Sequence, residues 1–425
     1  MKRKKALIIG IDGVPCGLLR TMIDGGAMPG LADVLASGYK LHPMKASLPE
    51  ISSVSWASFM TGENPGVHGI FGFTDLKPNS YALTFPNSSA IRVPTFWNSL
   101  QREGKLGRSV ILNVPSTYPA IPLNGILVSG FVAIDFNRAV YPPSCIPLLK
   151  NMNYVIDVDM QKATDNPEGF YRDLCDSLSV REKAAAHLFD TADNDLFLFC
   201  ITETDRLHHF FFDRSGTDLF KEFYSKVDGI IARLLSRARE KWGDDMFFMV
   251  LSDHGFTDLA TEVNLNAFLA DRGILKIDRT KEFYEKIGSG TRAFAMDPGR
   301  IYVHRKDRYP LGHIAGDAVE AVKTDLKALF SSLSDADGRP VIRHIFDGKD
   351  IYRGPMASQG PDLILIPHNG YDLKGNMRKE QVFTKDRFTG MHTWDDASLI
   401  IPDSLEAGNE LTIEMPARFV RAHFS

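Results

Sequence analysis

The order of apolar runs and amphipathic stretches predicts an α/β fold with a mostly parallel central sheet flanked by helices. Three observations carry that expectation. Runs such as Ala6-Leu7-Ile8-Ile9-Gly10-Ile11 and Leu196-Phe197-Leu198-Phe199-Cys200-Ile201 are apolar throughout, as strands covered on both faces are. Long helical patterns lie between them, so the connections have the length that parallel pairing requires. Acidic residues and histidines follow directly on several of these runs, where an open α/β sheet places its ligands.

Taken in order, residues 5–11 predict a strand, and residues 28–36 a helix with Gly38 as its stop. Residues 55–61 predict a short helix closed by Gly62-Glu63-Asn64-Pro65-Gly66. Strands are expected at 109–112 and 126–132, then a helix at 168–190, a strand at 196–202, a helix at 219–242 and a strand at 246–252. The last third predicts strands at 300–304, 362–366 and 397–401, with a helix at 314–330. No linker-like tract, low-complexity segment or repeat interrupts this alternation. Residues 1–425 are therefore expected to form one domain, with loop excursions at about 74–93 and 270–300.

Composition narrows the function classes. Hydrophobic and charged contents of 44% and 24% are those of an ordinary globular chain. The 49 basic and 53 acidic residues leave a net charge of -4, which gives no electrostatic footprint for nucleic acid as a structural partner. The apolar run after Met1-Lys2-Arg3-Lys4-Lys5 is cut by Asp12-Gly13, too early for a signal peptide, and no stretch has the length of a membrane span. Cys16, Cys145, Cys175 and Cys200 have no paired spacing, so neither disulfides nor a thiolate zinc site is expected. A cytoplasmic location and no membrane partner follow as expectations. The oligomeric state is not legible.

The strand ends hold the chemistry. Asp12 follows the first strand, Asp205 the run ending at Ile201, and Asp253-His254 the run ending at Leu251. Asp205 is followed by His208-His209 at the start of a helix, where residues four apart share a face. His392 precedes the last strand. Buried carboxylates are costly unless paired or bound to metal, so this recurrence points to a metal site. Three aspartates and three histidines exceed one tetrahedral site and suffice for two divalent ions. Nitrogen and oxygen donors without thiolates suit zinc, manganese or iron better than calcium. Two such ions about 3.5–4 Å apart clamp a phosphoryl group for in-line displacement. The stretch Pro49-Glu50-Ile51-Ser52-Ser53-Val54-Ser55-Trp56 then offers a nucleophile, since a serine at a helix start sits beside backbone N–H groups that favour an anionic phosphate. Helix capping competes with that role, and spacing does not choose among Ser52, Ser53 and Ser55.

These motifs resemble the alkaline phosphatase superfamily, specifically its type I phosphodiesterase/nucleotide pyrophosphatase branch. The matching pieces are Ile11-Asp12-Gly13, Pro49-x-x-Ser52 with Thr61-Gly62, Pro65-x-x-His68-Gly69-Ile70, Thr204-Asp205-x-x-x-His209, Ser252-Asp253-His254-Gly255-Phe256 and Gly390-x-His392. They span nearly the whole chain in the family's order. The resemblance implies an alkaline-phosphatase-like three-layer sandwich in which Asp12, Ser52, Asp253 and His254 surround one metal. Asp205, His209 and His392 would surround the other. It implies Ser52 as the nucleophile that forms a phosphoseryl intermediate, and His209 in preference to His208 as the ligand. Two divalent ions, zinc ahead of manganese, and a small phosphate-ester substrate follow. A phosphomonoesterase or a cytosolic phosphomutase using the same two-metal site is the alternative. Ser55 is a further candidate for contacting substrate, and His68 is expected to be structural.

Overall fold

A wholly apolar strand can satisfy its backbone in the interior only by pairing on both edges. In this computed structural model, which describes residues 3–405, 408 and 410–425, β1 (Ala6–Ile11) does so. Met1 and Lys2 of the basic lead-in lie outside the described residues. The other strands of the central sheet are β2 (Tyr39–Met44), β3 (Ser109–Val114), β4 (Gly125–Ser129), β5 (Val140–Tyr141), β6 (Leu196–Ile201), β7 (Phe247–Leu251) and β8 (Ala397–Pro402). Their spatial order is β2-β8-β7-β1-β6-β3-β4-β5. The pairs among β7, β1, β6, β3 and β4 are parallel, while β2, β8 and β5 run antiparallel to their neighbours at the edges.

Side-chain alternation makes the three layers. Ala6, Ile8, Leu196, Leu198 and Cys200 face one core, which they share with Trp56, Phe59 and Met60 of α1 (Ser52–Thr61). Leu7, Ile9, Ile11, Phe197, Phe199 and Ile201 face the other. That second face is covered by α2 (Pro167–Thr191), α3 (Glu203–Phe211) and α4 (Asp218–Trp242). Each fully buried Phe on β6 contributes about 1.5–3 kcal/mol relative to exposure.

A smaller antiparallel sheet builds a separate core. Its strands are Ala293–Met296, Arg300–Val303, Leu363–Pro367 and Ile342–Asp347, backed by the helix Ala318–Ser331 around Phe294, Tyr302 and Phe330. Nearby, Tyr371–Lys374 pairs in parallel with Thr261–Asn264. The ribbon Gly255–Asp258 with Gly390–Thr393 sets Phe256 opposite His392. The expected excursion near 74–93 holds the short pair Asp75–Leu76 with Leu83–Thr84, and Tyr81 Oη lies 2.6 Å from His304 Nε2 on the smaller sheet.

Three element boundaries differ from the sequence expectation by three residues or more. The helix α1 starts at Ser52 instead of residue 55, because the Ile51 carbonyl already accepts the Ser55 N–H. The strand expected to reach residue 132 stops at Ser129, where Gly130 turns its N–H to the Val114 carbonyl. The helix expected from residue 314 begins at Ala318. No helix among the described residues is long and apolar enough to cross a membrane.

Candidate active site

Parallel registration brings the strand ends level. Ile11 of β1 pairs with Ile201 of β6, and Gly10 with Leu251 of β7, so the residues that follow emerge side by side. Gly13 takes φ +67°, which turns the chain directly after Asp12 and lets its N–H donate to Asp253 Oδ1 at 3.1 Å. The Val14 N–H donates to Ser252 Oγ at 2.7 Å, and the Thr204 hydroxyl donates to the Asp12 carbonyl at 2.6 Å. Three loops are thus tied to one another. The first turns of α3 set His209 Nε2 at 3.5 Å from Asp205 Oδ1. The ribbon brings His392 Nε2 to 3.4 Å from the same oxygen and 3.2 Å from His209 Nε2.

Two donor sets result, one of Asp12, Asp253 and His254, the other of Asp205, His209 and His392, each with its ligand atoms within 4.8 Å of one another. Ser52 Oγ stands 3.1 Å from His254 Nε2 and 3.4 Å from Asp12 Oδ1. All seven residues singled out as metal ligands from the sequence therefore converge. The ring orientations fit ligation, since His254 Nδ1–H donates to the Gly255 carbonyl at 3.0 Å and His392 Nδ1–H to the Glu50 carbonyl at 3.1 Å. Both Nε2 lone pairs then face inward. Asp205 Oδ1 and Asp253 Oδ2 are buried with no hydrogen-bond donor, the state of an oxygen set aside for a cation.

Electrostatics agree. Burial, then repulsion from Asp253 and Asp205, pushes the Asp12 carboxyl well above the usual carboxylate range, and burial lifts Asp253 to about 6. Burial acts on Asp205 in the same sense, but His209, His392 and Arg206 outweigh it and hold that carboxyl well below its ordinary value. Burial depresses His254 to about 3, leaving it neutral and able to donate a lone pair. The neutral imidazoles of His254 and His209 and the crowded carboxylates suit divalent cations.

The site opens into a cavity of about 340 Å³ whose walls include Ser52, Phe73, Phe131, Lys374 and Phe388. Arg206 also reaches it, over the Phe131 ring at 4.3 Å, yet its guanidinium is already bound to Asp157 and Asp205. A larger cleft of about 770 Å³ lies elsewhere, between Gly25–Ala27 and helices α2 and α4, and is lined by surface groups such as the Arg233–Glu182 pair at 2.5 Å. Neither donor set contributes to it.

Other residues singled out from the sequence have different settings. Ser55 is fully buried, its hydroxyl 2.8 Å from Ser47 Oγ, and it is not part of the cavity wall. His208 is buried between the Gly13 carbonyl and Tyr224 Oη, so it supports the Asp12 turn from behind. His68 is buried too, accepting the Ile70 N–H at Nδ1 and donating from Nε2 to Ser58 Oγ at 2.9 Å. Phe73 lines the cavity, whereas Phe71 packs edge-on against Tyr352 in a small core.

Sequence reasoning overlooked several contributors. Trp56 Nε1–H donates to Asp12 Oδ2 at 3.1 Å, turning Oδ1 toward Ser52. An indole donor placed one helical turn after Ser52 was the available signal. Asp157, Asp297, Asp372 and Lys374 carry no local pattern that separates them from solvated surface residues.

The fold is of the alkaline-phosphatase type, and the family of the chain makes it a phosphoric ester hydrolase. The chain belongs to the type I phosphodiesterase / nucleotide pyrophosphatase family, whose pattern matches residues 6–395. Among solved structures it is similar to phosphonoacetate hydrolase from Sinorhizobium meliloti 1021 in complex with phosphonoacetate, at 14% identity and TM-score 0.67, covering 100% of this chain and 96% of that one. It is also similar to an inactive variant of murine ectonucleotide pyrophosphatase / phosphodiesterase 5 in complex with AMP (12% identity, TM-score 0.58, covering 99% and 95%). A third similar structure is the wild-type alkaline phosphatase PafA (14% identity, TM-score 0.62, covering 100% and 96%). No curated protein sequence matches the chain.

Proposed function

We propose that the protein hydrolyses phosphate diesters with two divalent metal ions, zinc ahead of manganese, through a phosphoseryl intermediate on Ser52. The observation that carries this reading is the position of Ser52 Oγ, 3.1 Å from His254 Nε2 and 3.4 Å from Asp12 Oδ1, at the edge of two facing donor sets. Asp12, Asp253 and His254, with Ser52, would hold one ion, and Asp205, His209 and His392 the other. Bound there, the ions would supply Lewis-acid stabilisation of the ester oxygens and ease loss of the Ser52 proton.

The chain's own residues do the rest. Ser52 is the first residue of α1, whose N-cap Ile51 makes no side-chain cap bond, so the helix dipole and its first amides favour an anion beside the hydroxyl. Ser52 Oγ attacks phosphorus in line and one alkoxide leaves; water then displaces the serine with a second inversion. Trp56 holds Asp12 in place, and Phe73, Phe131 and Phe388 restrict water around the organic group.

Diester preference has a charge argument behind it. A monoester dianion needs one more positive group, yet Arg206 is committed to two carboxylates and Lys374 to Asp372 at 2.5 Å. The smaller sheet is read as an insertion into a single catalytic domain that walls the cavity through Asp297 and Pro367, with Lys374 added by the neighbouring strand Tyr371–Lys374. The test compares bis(p-nitrophenyl) phosphate with p-nitrophenyl phosphate on metal-stripped protein resupplied with zinc or manganese. Metal-dependent preference for the diester is expected. Preference for the monoester would move the assignment to a phosphatase or phosphomutase.

A further inference from the structure

Two walls of the active cavity are loop segments from distant parts of the chain. Phe73 and Thr74 precede the short strand Asp75–Leu76, and Asp297 and Pro298 form the turn between the strands Ala293–Met296 and Arg300–Val303. Neither segment lies in a helix or a strand, so no backbone ladder fixes the gap between them. One side chain joins the two. Arg300 is fully buried behind the cavity lining, and its guanidinium donates from Nε to the Asp297 carbonyl at 2.7 Å and from Nη2 to the Thr74 carbonyl at 2.9 Å. Nη1 donates to Tyr302 Oη at 3.2 Å.

The base of this link is rigid. Arg300 is the first residue of its strand, registered against Met296 on one side and Ile364 on the other. Its far end is closely packed. A Cβ on Gly72 would meet Cζ, Nη2 and Nη1 at 2.6, 2.7 and 2.8 Å, so the guanidinium presents its face to the Gly72 backbone, an approach that only glycine permits. Asp297 is tied a second time, since its Oδ1 accepts the Gly375 N–H beside Lys374. All three hydrogen-bond partners of the guanidinium are uncharged. A cation buried against neutral acceptors is costlier than an apolar side chain of the same length, and what it supplies in return is three donors in one plane, reaching carbonyls on both loops.

Resting on the reading of this cavity as the place of a diester's organic group, we propose that Arg300 is a positioning residue that sets the gap between Phe73–Thr74 and Asp297–Pro298 and thereby favours the bulkier organic groups. Phe73 carries the effect, because its ring meets Phe131 edge to face at 5.3 Å and moves with the Thr74 carbonyl. The partners of Arg300 include neither donor set nor Ser52, so its influence falls on binding of the organic group.

Two diesters with the same leaving group test this on the metal-loaded protein at equal metal content: bis(p-nitrophenyl) phosphate and methyl p-nitrophenyl phosphate. Arg300→Met keeps the length and removes the donors. It should lower the bis-to-methyl ratio of kcat/KM by about tenfold, the value of one hydrogen bond from a charged group, with the loss in KM and not in kcat. Gly72→Ala should lower the ratio from the opposite side, because Gly72 is outside the left-handed region and the three atoms nearest the added methyl all belong to Arg300. Arg300→Lys, which keeps the charge and part of the donor set, should fall between wild type and Arg300→Met; with Gly72→Ala it carries the comparison if Arg300→Met does not fold. Losses of equal size for both diesters, or an unchanged ratio in folded Gly72→Ala and Arg300→Lys, overturn the positioning role and leave the diesterase reading standing. Wild-type protein that turns over neither diester overturns both.

Discussion

The guanidinium of Arg206 grips Asp157 with two hydrogen bonds, Nε to Oδ1 at 3.0 Å and Nη2 to Oδ2 at 2.8 Å, which leaves Nη1 at 2.6 Å from Asp205 Oδ2. Asp157 thereby orients the arginine, and the arginine orients a metal-ligand candidate so that Oδ1 faces His209 and His392. Asp157→Ala should therefore weaken metal binding at the Asp205, His209 and His392 set by about 10–100-fold, the usual cost of losing such an outer partner. Titration of metal-stripped protein against a chelator checks this. Unchanged affinity at both sites would show that Asp205 needs no such support.

Trp56 acts on the other donor set. Its indole N–H is the partner of Asp12 Oδ2, and the ring is fully buried against β1, where a side chain on Gly10 would meet it at 2.6 Å. Trp56→Phe keeps an aromatic ring and removes the donor. Its expected effect is a fall in kcat/KM for bis(p-nitrophenyl) phosphate of roughly tenfold or more with the helical circular dichroism preserved. Full activity would mean that Asp12 is held by its backbone alone.

His68 predicts an acid limit on stability that is separate from catalysis. Burial depresses its pKa to about 3, below the ordinary value of 6.5, so the folded protein keeps the ring neutral where the unfolded chain protonates it. The contribution is complete above the unfolded value and is lost as pH falls from there toward the folded one. Each pH unit in that window removes up to about 1.4 kcal/mol. Denaturant unfolding at pH 7 and pH 5 should show His68→Gln losing about 1–2 kcal/mol less than the wild type between the two conditions. Parallel losses would place the acid sensitivity elsewhere.

How much was legible in the sequence follows from which signals are local. The buried strands announce themselves because continuous apolar runs have few other uses, and Asp12, Asp205, Asp253 and His254 stand out because they directly follow such runs. The edge strand β2 was not legible, since it mixes exposed, half-buried and buried residues without strict alternation and includes Pro43. Nor was the pairing of Asp157 with Arg206, 49 positions apart, which only folding brings together. Glu50 stands two residues before Ser52 in the sequence, but its burial and its unpartnered oxygen belong to the tertiary structure. Ser55 looked equivalent to Ser52 until helix geometry turned it toward Ser47.

The central claim is that Ser52 is the nucleophile of a two-metal site, and Ser52→Ala tests it most directly. Metal content by mass spectrometry and turnover of bis(p-nitrophenyl) phosphate should be measured on the same preparation. The account predicts about two divalent ions per chain in wild type and variant alike, as two-metal phosphoryl-transfer sites hold, with turnover abolished only in the variant. Retained hydrolysis in Ser52→Ala at normal metal content would contradict it.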